Sequence, residues 1–121
     1  MKRSKLDKNY PEYRRHLQGL IGRLRGRIPG TMKGFGLLHQ ESMKAGALNE
    51  KHKELIALGI GIASRCDGCL AFHTHEALAH GATPEEITEA IGVAVSMGGG
   101  PALMYAAHAL EALEQFEAGQ P

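Results

Sequence analysis

Apolar residues recur along most of the chain every three to four positions, which is the spacing of one helix face. No segment alternates apolar and polar residues between turn residues, so the sequence contains no clear strand candidate. The pattern predicts an all-α fold, a single-domain helical bundle of about six helices. With 121 residues, 43% of them apolar, one domain has enough material for a hydrophobic core.

Capping residues, glycines and prolines set the expected helix boundaries. Asn49 can cap the third helix, and Thr83-Pro84-Glu85-Glu86 combines a cap, a proline in the first turn and a glutamate three residues on. Gly98-Gly99-Gly100-Pro101 is expected to separate the last two helices. The predicted helices span about residues 10–25, 31–44, 50–64, 65–81, 83–98 and 102–117.

Most of these helices carry an apolar side, and the third and the last show it most clearly. Residues 55–63 are apolar on all sides, which is typical of a buried helix, and Gly59 and Gly61 there predict close contact with a neighbour. Met97 and Met104 are interpreted as core side chains. In the last helix the residues predicted to be buried are Leu103, Ala106, Ala107, Leu110 and Leu113.

Charge divides the chain into a basic and an acidic part. Residues 1–27 contain nine Lys or Arg and two acids, whereas residues 66–121 contain eight acids and no Lys or Arg. We expect residues 1–30, a basic helical segment, to pack on the acidic part of the domain formed by residues 31–121, within one chain or between subunits. A nucleic-acid role is disfavoured because the basic residues lack interleaved aromatic groups.

Hydropathy gives no sign of a membrane segment. No run of about 18 apolar residues occurs, and no apolar stretch follows the basic start Met1-Lys2-Arg3-Ser4-Lys5. A signal peptide is therefore not expected, and the sequence predicts a cytoplasmic protein.

The chain has only two cysteines, three positions apart. A disulfide that closes so short a loop constrains little of the unfolded chain, so it is a poor structural staple. In a reducing compartment such a pair is expected to be redox-active or metal-binding.

The cysteines belong to the segment Cys66-Asp67-Gly68-Cys69-Leu70-Ala71-Phe72-His73. On a helix, Cys66, Cys69 and His73 would project from one face, with the cysteine Cα atoms about 5–6 Å apart, which a disulfide accepts. A helix N-terminus and a neighbouring histidine both favour the thiolate. Glu54 is the expected partner of His73, because antiparallel packing of the third and fourth helices would bring the two close, and a carboxylate entering a buried helix needs a partner.

Two other interpretations of this segment stay open. Cysteines are often small buried apolar residues, although the spacing of this pair with His73 argues against packing alone. Zinc could bind Cys66, Cys69, His73 and Glu54, with His75 or His80 as substitutes. Zinc fingers, however, space their ligand pairs across a loop or a hairpin and not along one helix face.

The other histidines carry weaker signals. His75 is expected to point away from His73, and His80 to finish the helix near its negative end. His108 is interpreted as a satisfied core histidine. Nothing in the sequence distinguishes His16, His39 or His52.

Glu54, eleven intervening residues and Cys66-x-x-Cys69-x-x-x-His73 resemble the signature of the alkylhydroperoxidase D-like branch of the carboxymuconolactone decarboxylase superfamily. The segment Gly81-Ala82-Thr83-Pro84-Glu85-Glu86-Ile87 is similar to a connection in that family, and the alanine-rich last helix also fits. The resemblance covers about residues 35–117.

The resemblance implies an alkylhydroperoxidase D-like fold and a peroxide-reducing thiol–disulfide oxidoreductase that needs no cofactor or metal. Carried over, Cys69 attacks the peroxide, His73 is its base, Glu54 is the relay and Cys66 is the resolving thiol. Gly68 stands where the best-studied members carry a histidine, which predicts a simpler relay. The true decarboxylases lack the cysteine pair, so decarboxylation is not expected.

The implied partners are a small-molecule hydroperoxide, a dithiol or protein electron donor, and further copies of the chain in a homotrimer or homohexamer. Neither nucleic acid nor a membrane is expected. One alternative is a disulfide reductase or adaptor that passes electrons to a partner peroxidase. A zinc-binding oligomeric module is the other.

Overall fold

The computed structural model describes residues 8–119, and they fold into five helices. None of these residues forms a strand, so the predicted all-α class is confirmed, while the expected count of six helices is wrong by one. The basic residues Lys2, Arg3 and Lys5 lie outside the described residues. The helices are α1 (Tyr10–Arg27), α2 (Pro29–Met43), α3 (Glu50–Ala63), α4 (Asp67–Ala79) and α5 (Pro84–Glu117).

Helix α5 bends where the sequence predicts a break between two helices. Gly99 has φ 69° and ψ −151°, a left-handed conformation that glycine adopts at little cost. Pro101 follows in the first turn of the second half, where its missing N–H removes no helical hydrogen bond. The two halves therefore meet at a kink without a loop, and the fifth and sixth predicted helices form one element.

The main core lies between α3, α4 and α5. Leu58 and Ile62 of α3 and Leu70 of α4 are fully buried there, together with Ile87 of α5. Small side chains cover much of the α5 surface that faces them. In the second half of α5 the buried residues are Ala102, Ala106, Ala109, Ala112, Leu113 and Phe116.

Large apolar residues occupy the outer sides of α3 and α5 instead. Ile56 and Ile60 are exposed, so the prediction that α3 is buried all round is wrong for the single chain. The predicted burial of several α5 residues is also wrong, because the alanines take the inner face. The exposed residues there are Met97, Leu103, Met104, Ala107 and Leu110.

Helix α1 packs on the acidic part of the chain. Tyr10 is fully buried in a second apolar cluster with Ala71, Ala112 and Phe116. Two ion pairs join the segments, Lys8 Nζ with Asp67 Oδ2 at 2.8 Å and Arg14 with Glu76 at 3.9 Å. The basic segment thus meets the acidic part within one chain.

Among residues 8–119, α5 is the one helix whose length and apolar composition would allow it to cross a membrane. Core helices of soluble proteins satisfy the same criterion. Because α5 is kinked at Gly99 and packs on α3 and α4, length and composition alone do not assign it to a membrane.

Candidate active site

The turn between α3 and α4 places the cysteine pair. Arg65 has φ 58°, which is uncommon for a residue other than glycine and reverses the chain after α3. Cys66 is the N-cap of α4 with extended backbone angles, not a helical residue as the sequence suggested. Its Sγ accepts a hydrogen bond from the backbone N–H of Cys69 at 3.1 Å. The cap therefore turns the Cys66 sulfur back towards the first turn of the helix.

Cys66 and Cys69 are joined by a disulfide, with their Cα atoms 5.2 Å apart. Gly61 of α3 faces this bond, and a Cβ atom there would lie 2.8 Å from Cys69 Cβ. Only glycine at this position lets α3 pack so closely on the first turn of α4. The predicted close contact is confirmed for Gly61, whereas a Cβ atom at Gly59 would meet nothing within 4 Å.

Glu54 and His73 meet between α3 and α4. Glu54 Oε1 lies 2.7 Å from His73 Nδ1, and Glu54 is only 6% exposed. A carboxylate so far removed from water needs a partner of this kind. When Nδ1–H donates to the carboxylate, the neutral imidazole keeps Nε2 as its basic nitrogen. The ring lies one helical turn after Cys69.

Both pairs line one cavity of about 540 Å³. Its polar residues are Cys66, Cys69, His73, Glu54, Glu76 and His39. The rest of the wall, apart from Gly68, consists of apolar side chains from α1, α2 and α4, namely Leu17, Ile21, Phe35 and Phe72. The arrangement brings the cysteine disulfide and a histidine–carboxylate pair to one solvent-accessible, largely apolar space.

Sequence reasoning missed His39 as a residue of this cavity. Its ring centroid lies 6.4 Å from that of His73, although the two belong to different helices. No spacing along the chain relates α2 to α4, so only the tertiary fold reveals the approach. Gly68, also in the cavity wall, allows α1 to pack closely on α4, because a Cβ atom there would lie 3.1 Å from Leu17 Cδ1 of α1.

Asp67, between the two cysteines, is the centre of a polar network on α4. Its carboxylate accepts hydrogen bonds from Lys8 at 2.8 Å, from the Tyr10 hydroxyl at 3.3 Å and from His108 Nδ1 at 3.1 Å. His108 is therefore not the core histidine that the sequence predicted; its side chain is 45% exposed. Burial alone would raise the pKa of Asp67, but the hydrogen bonds and charges of Lys8 and His108 outweigh it and lower that pKa. The pKa of Tyr10 is raised by burial and by the Asp67 charge.

A second group of polar side chains lies at the other end of α4. Ligand atoms of Glu54, Glu76 and His80 lie within 4.8 Å of one another. His80 caps the C-terminus of α4, donates from Nδ1 to the Glu76 carbonyl at 2.8 Å and faces Glu50 through Nε2 at 2.6 Å. The bond to that carbonyl and the nearby carboxylates raise the His80 pKa, against a smaller effect of burial. His80 thus pairs with Glu50 and Glu76 at the C-terminal end of α4, while Glu54 pairs with His73.

Two further predictions from the sequence concern His75 and a zinc site. His75 packs against the Phe116 ring, with centroids 5.5 Å apart, and is not among the residues that line the cavity. The zinc alternative requires Cys66 and Cys69 as thiolates, and in this structure their sulfurs are bonded to each other.

Comparison with known proteins finds similarity to one family, both in sequence and in structure. A profile of the carboxymuconolactone decarboxylase family matches residues 29–112. The chain is 43% identical to a family protein of Legionella pneumophila, with a TM-score of 0.86 over 91% of this chain and 98% of that one. A Thermotoga maritima family protein, for which a part in the antioxidative response has been suggested, is 31% identical, with a TM-score of 0.70 over 74% of this chain and 92% of that one. An uncharacterized protein of Cupriavidus necator is 40% identical over 82 residues, 68% of this chain and 73% of that protein.

Proposed function

The chain belongs to the carboxymuconolactone decarboxylase family, and from that membership and the site geometry we propose that it is a peroxide-reducing thiol–disulfide oxidoreductase. Alkylhydroperoxidase D-like peroxidases occur in this family. The observation that carries the proposal is that the Cys66–Cys69 disulfide and the Glu54–His73 pair line the same cavity. The antioxidative role suggested for the Thermotoga maritima protein agrees with it.

The first step begins from the reduced pair. His73 accepts the Cys69 proton, and the buried Glu54 carboxylate stabilises the imidazolium through Nδ1. The Cys69 thiolate attacks one peroxide oxygen, so that an S–O bond forms while the O–O bond breaks. The other oxygen leaves, takes a proton from a neighbouring acid or from water, and becomes an alcohol or water, while Cys69 becomes a sulfenic acid.

The second step closes the disulfide. Cys66 attacks the sulfenic sulfur, an S–S bond forms, and the hydroxyl leaves as water with the Cys66 proton. In the oxidised pair the two Cα atoms lie 5.2 Å apart, within the range that a disulfide accepts, so the bond spans one turn at the start of α4. An external dithiol then returns two electrons by exchange. A reducing cytoplasm would supply such a donor.

Two cysteine variants test the proposal. Cys69→Ser should abolish the peroxide-dependent loss of thiols. Cys66→Ser should instead stop after one oxidation, with a sulfenic acid that dimedone traps and mass spectrometry places on Cys69. Unchanged peroxide turnover in Cys69→Ser would rule out the role assigned to that residue.

The accessibility of the pair also supports a second candidate. Cys66 and Cys69 are only partly buried, so the disulfide of a partner protein could reach them. The same exchange chemistry would then make the chain a reductase or adaptor for a separate peroxidase. Rapid oxidation of the reduced protein by a disulfide substrate, with slow oxidation by peroxide alone, would favour this candidate. The zinc alternative for the reduced pair is tested by metal analysis of protein purified without chelator.

A further inference from the structure

We propose that His39 is a second catalytic residue of this site, the acid that protonates the alkoxide released from an organic hydroperoxide. The inference rests on the proposed peroxide reduction and adds a group to it. His39 lies on α2, whereas the cysteines and His73 lie on α4 or at its N-cap, so the cavity receives imidazoles from two separate helices.

His39 lies in the wall of the cavity in which the substrate would bind. Its ring centroid is 6.4 Å from that of His73, with the planes inclined at 38°, and both rings line the cavity that contains Cys69. A hydroperoxide that contacts Cys69 would occupy the same cavity that His39 lines from another helix. Phe35, one turn before His39 on α2, lines the same wall and offers an apolar surface to the organic part.

The two histidines differ in the hydrogen-bond partners of their ring nitrogens. Nδ1 of His73 is bonded to the buried Glu54 carboxylate, which suits His73 to accept the Cys69 proton. Within the part of the chain that the structure describes, the His39 ring nitrogens have no hydrogen-bond or ion-pair partner. His39 is also exposed, so it can regain a proton from solvent after each turnover.

The chemistry needs such a donor at one step. As the Cys69 sulfur bonds to one peroxide oxygen, the O–O electron pair moves to the other oxygen, and the alkoxide takes a proton from the His39 imidazolium. The products are the Cys69 sulfenic acid, the alcohol and neutral His39. An alkoxide is a strong base and a poor leaving group, so its departure benefits from an acid. The carboxylate released from a peroxy acid is a weak base and leaves without one.

This difference provides the test. The reduced wild-type chain, His39→Gln and His52→Ala are each mixed with cumene hydroperoxide or with 3-chloroperoxybenzoic acid, which are both aromatic but release an alkoxide and a carboxylate respectively. His52 is exposed on α3 and is not a residue of the cavity, so its variant is the matched control. Because the chain has no Trp, oxidation is followed by quenching with N-ethylmaleimide and counting free thiols.

We expect His39→Gln to slow oxidation by cumene hydroperoxide by about 100-fold, and oxidation by the peroxy acid by less than about threefold. His52→Ala should change neither rate. Free imidazole should restore part of the cumene hydroperoxide rate in His39→Ala, because the position opens to solvent. That rescue distinguishes a lost proton donor from a distorted cavity.

Equal losses with both oxidants would overturn the inference, since His39 would then act on the cysteines or on the shape of the cavity. Wild-type rates in His39→Gln would overturn it as well, while leaving the proposed function in place. If the wild-type chain consumes neither oxidant, the proposed function fails and the role of His39 fails with it.

Discussion

Glu54 is the most buried carboxylate of the site, and its contact with His73 explains why a charged residue is tolerated on the core side of α3. Glu54→Gln keeps the shape and a hydrogen bond but removes the charge that stabilises imidazolium at His73. We expect the rate of Cys69 oxidation by a hydroperoxide to fall by about 10- to 100-fold. Free-thiol counts after mixing with peroxide measure that rate.

Glu76→Gln is the matched control for this prediction. Glu76 lines the same cavity but is half-exposed, and it faces Arg14, His75 and His80 instead of His73. Its variant should retain at least about a third of the wild-type rate. A Glu54→Gln protein as active as the wild type would show that His73 does not depend on the carboxylate.

Asp67 gives a prediction about stability and pH. Its lowered folded-state pKa means that the ionised form stabilises the fold above about pH 4, and that this contribution is lost as the pH falls through the lowered pKa. Because Lys8 and His108 are partly exposed, solvent screens the network, and Asp67→Asn should cost about 1 kcal/mol at neutral pH. Urea unfolding at a series of pH values should show the two proteins converging in acid.

The exposed Glu89 supplies the control for Asp67, because its replacement by Gln changes the same charge without a comparable network. Glu89→Gln should differ from the wild type by less than about 0.5 kcal/mol at every pH. A difference between the wild type and Asp67→Asn that persists unchanged below pH 3 would contradict the assignment of the effect to ionisation of Asp67.

At the scale of the helices, local signals predicted ends better than faces. The Asn49 and Thr83 caps were readable because an N-cap depends on residues within three positions, and both side chains accept the expected backbone hydrogen bonds. The proximity of Cys66, Cys69 and His73 could be predicted for the same reason, because they lie within eight residues of one another. Glu54 needed only the further assumption that α3 and α4 pack antiparallel.

Features that depend on packing between distant helices could not be read in this way. Hydropathy ranks Leu103 and Leu110 above Ala102 and Ala109, yet close approach of helices buries the alanines and leaves the leucines outside. His39 enters the cavity only because α2 folds over it. The sequence predicted a break near Gly99, but it did not predict that the two helical halves would join there without a loop.

The capping box of α5 yields a prediction at this scale. The Thr83 hydroxyl accepts from the Glu86 N–H at 3.1 Å, and the Glu86 carboxylate accepts from the Thr83 N–H at 2.9 Å. Thr83→Ala removes the first bond and should lower the free energy of unfolding by about 1 kcal/mol, measured by urea denaturation. The control is Thr88→Ala, since the Thr88 hydroxyl bonds only to the Pro84 carbonyl at 2.8 Å inside the helix, and its loss should be nearly neutral. Equal losses in the two variants would argue against a specific cap.

For the whole molecule, the unusual property is the apolar outer side of α3 and α5. Met97 is 80% exposed, Val93 65% and Ile60 63%, far more than a stable monomer usually leaves in one place. These residues line a groove of about 400 Å³ between the two helices, with Leu55, Ile56 and alanines and no titratable side chain. The groove is separate from the cysteine cavity, so it does not serve the proposed chemistry directly.

We propose that a second copy of this chain covers that face, in the homotrimer or homohexamer that the family resemblance implies. A groove without charged or polar side chains suits an equally apolar surface. In a hexamer that surface can be the same two helices of another copy across a twofold axis, whereas in a trimer it is a different face of the neighbouring copy. Ile60→Glu and Met97→Glu should each place an unpaired charge in the interface, which weakens assembly by a few kcal/mol. Sedimentation should show a wild-type oligomer that these variants dissociate towards monomer, whereas Leu24→Glu, exposed on α1, should keep the wild-type mass. A wild-type chain that sediments as a monomer at micromolar concentration would contradict the proposal. If that monomer also bound to lipid vesicles, the apolar face would instead contact a membrane, which the length and composition of α5 allow.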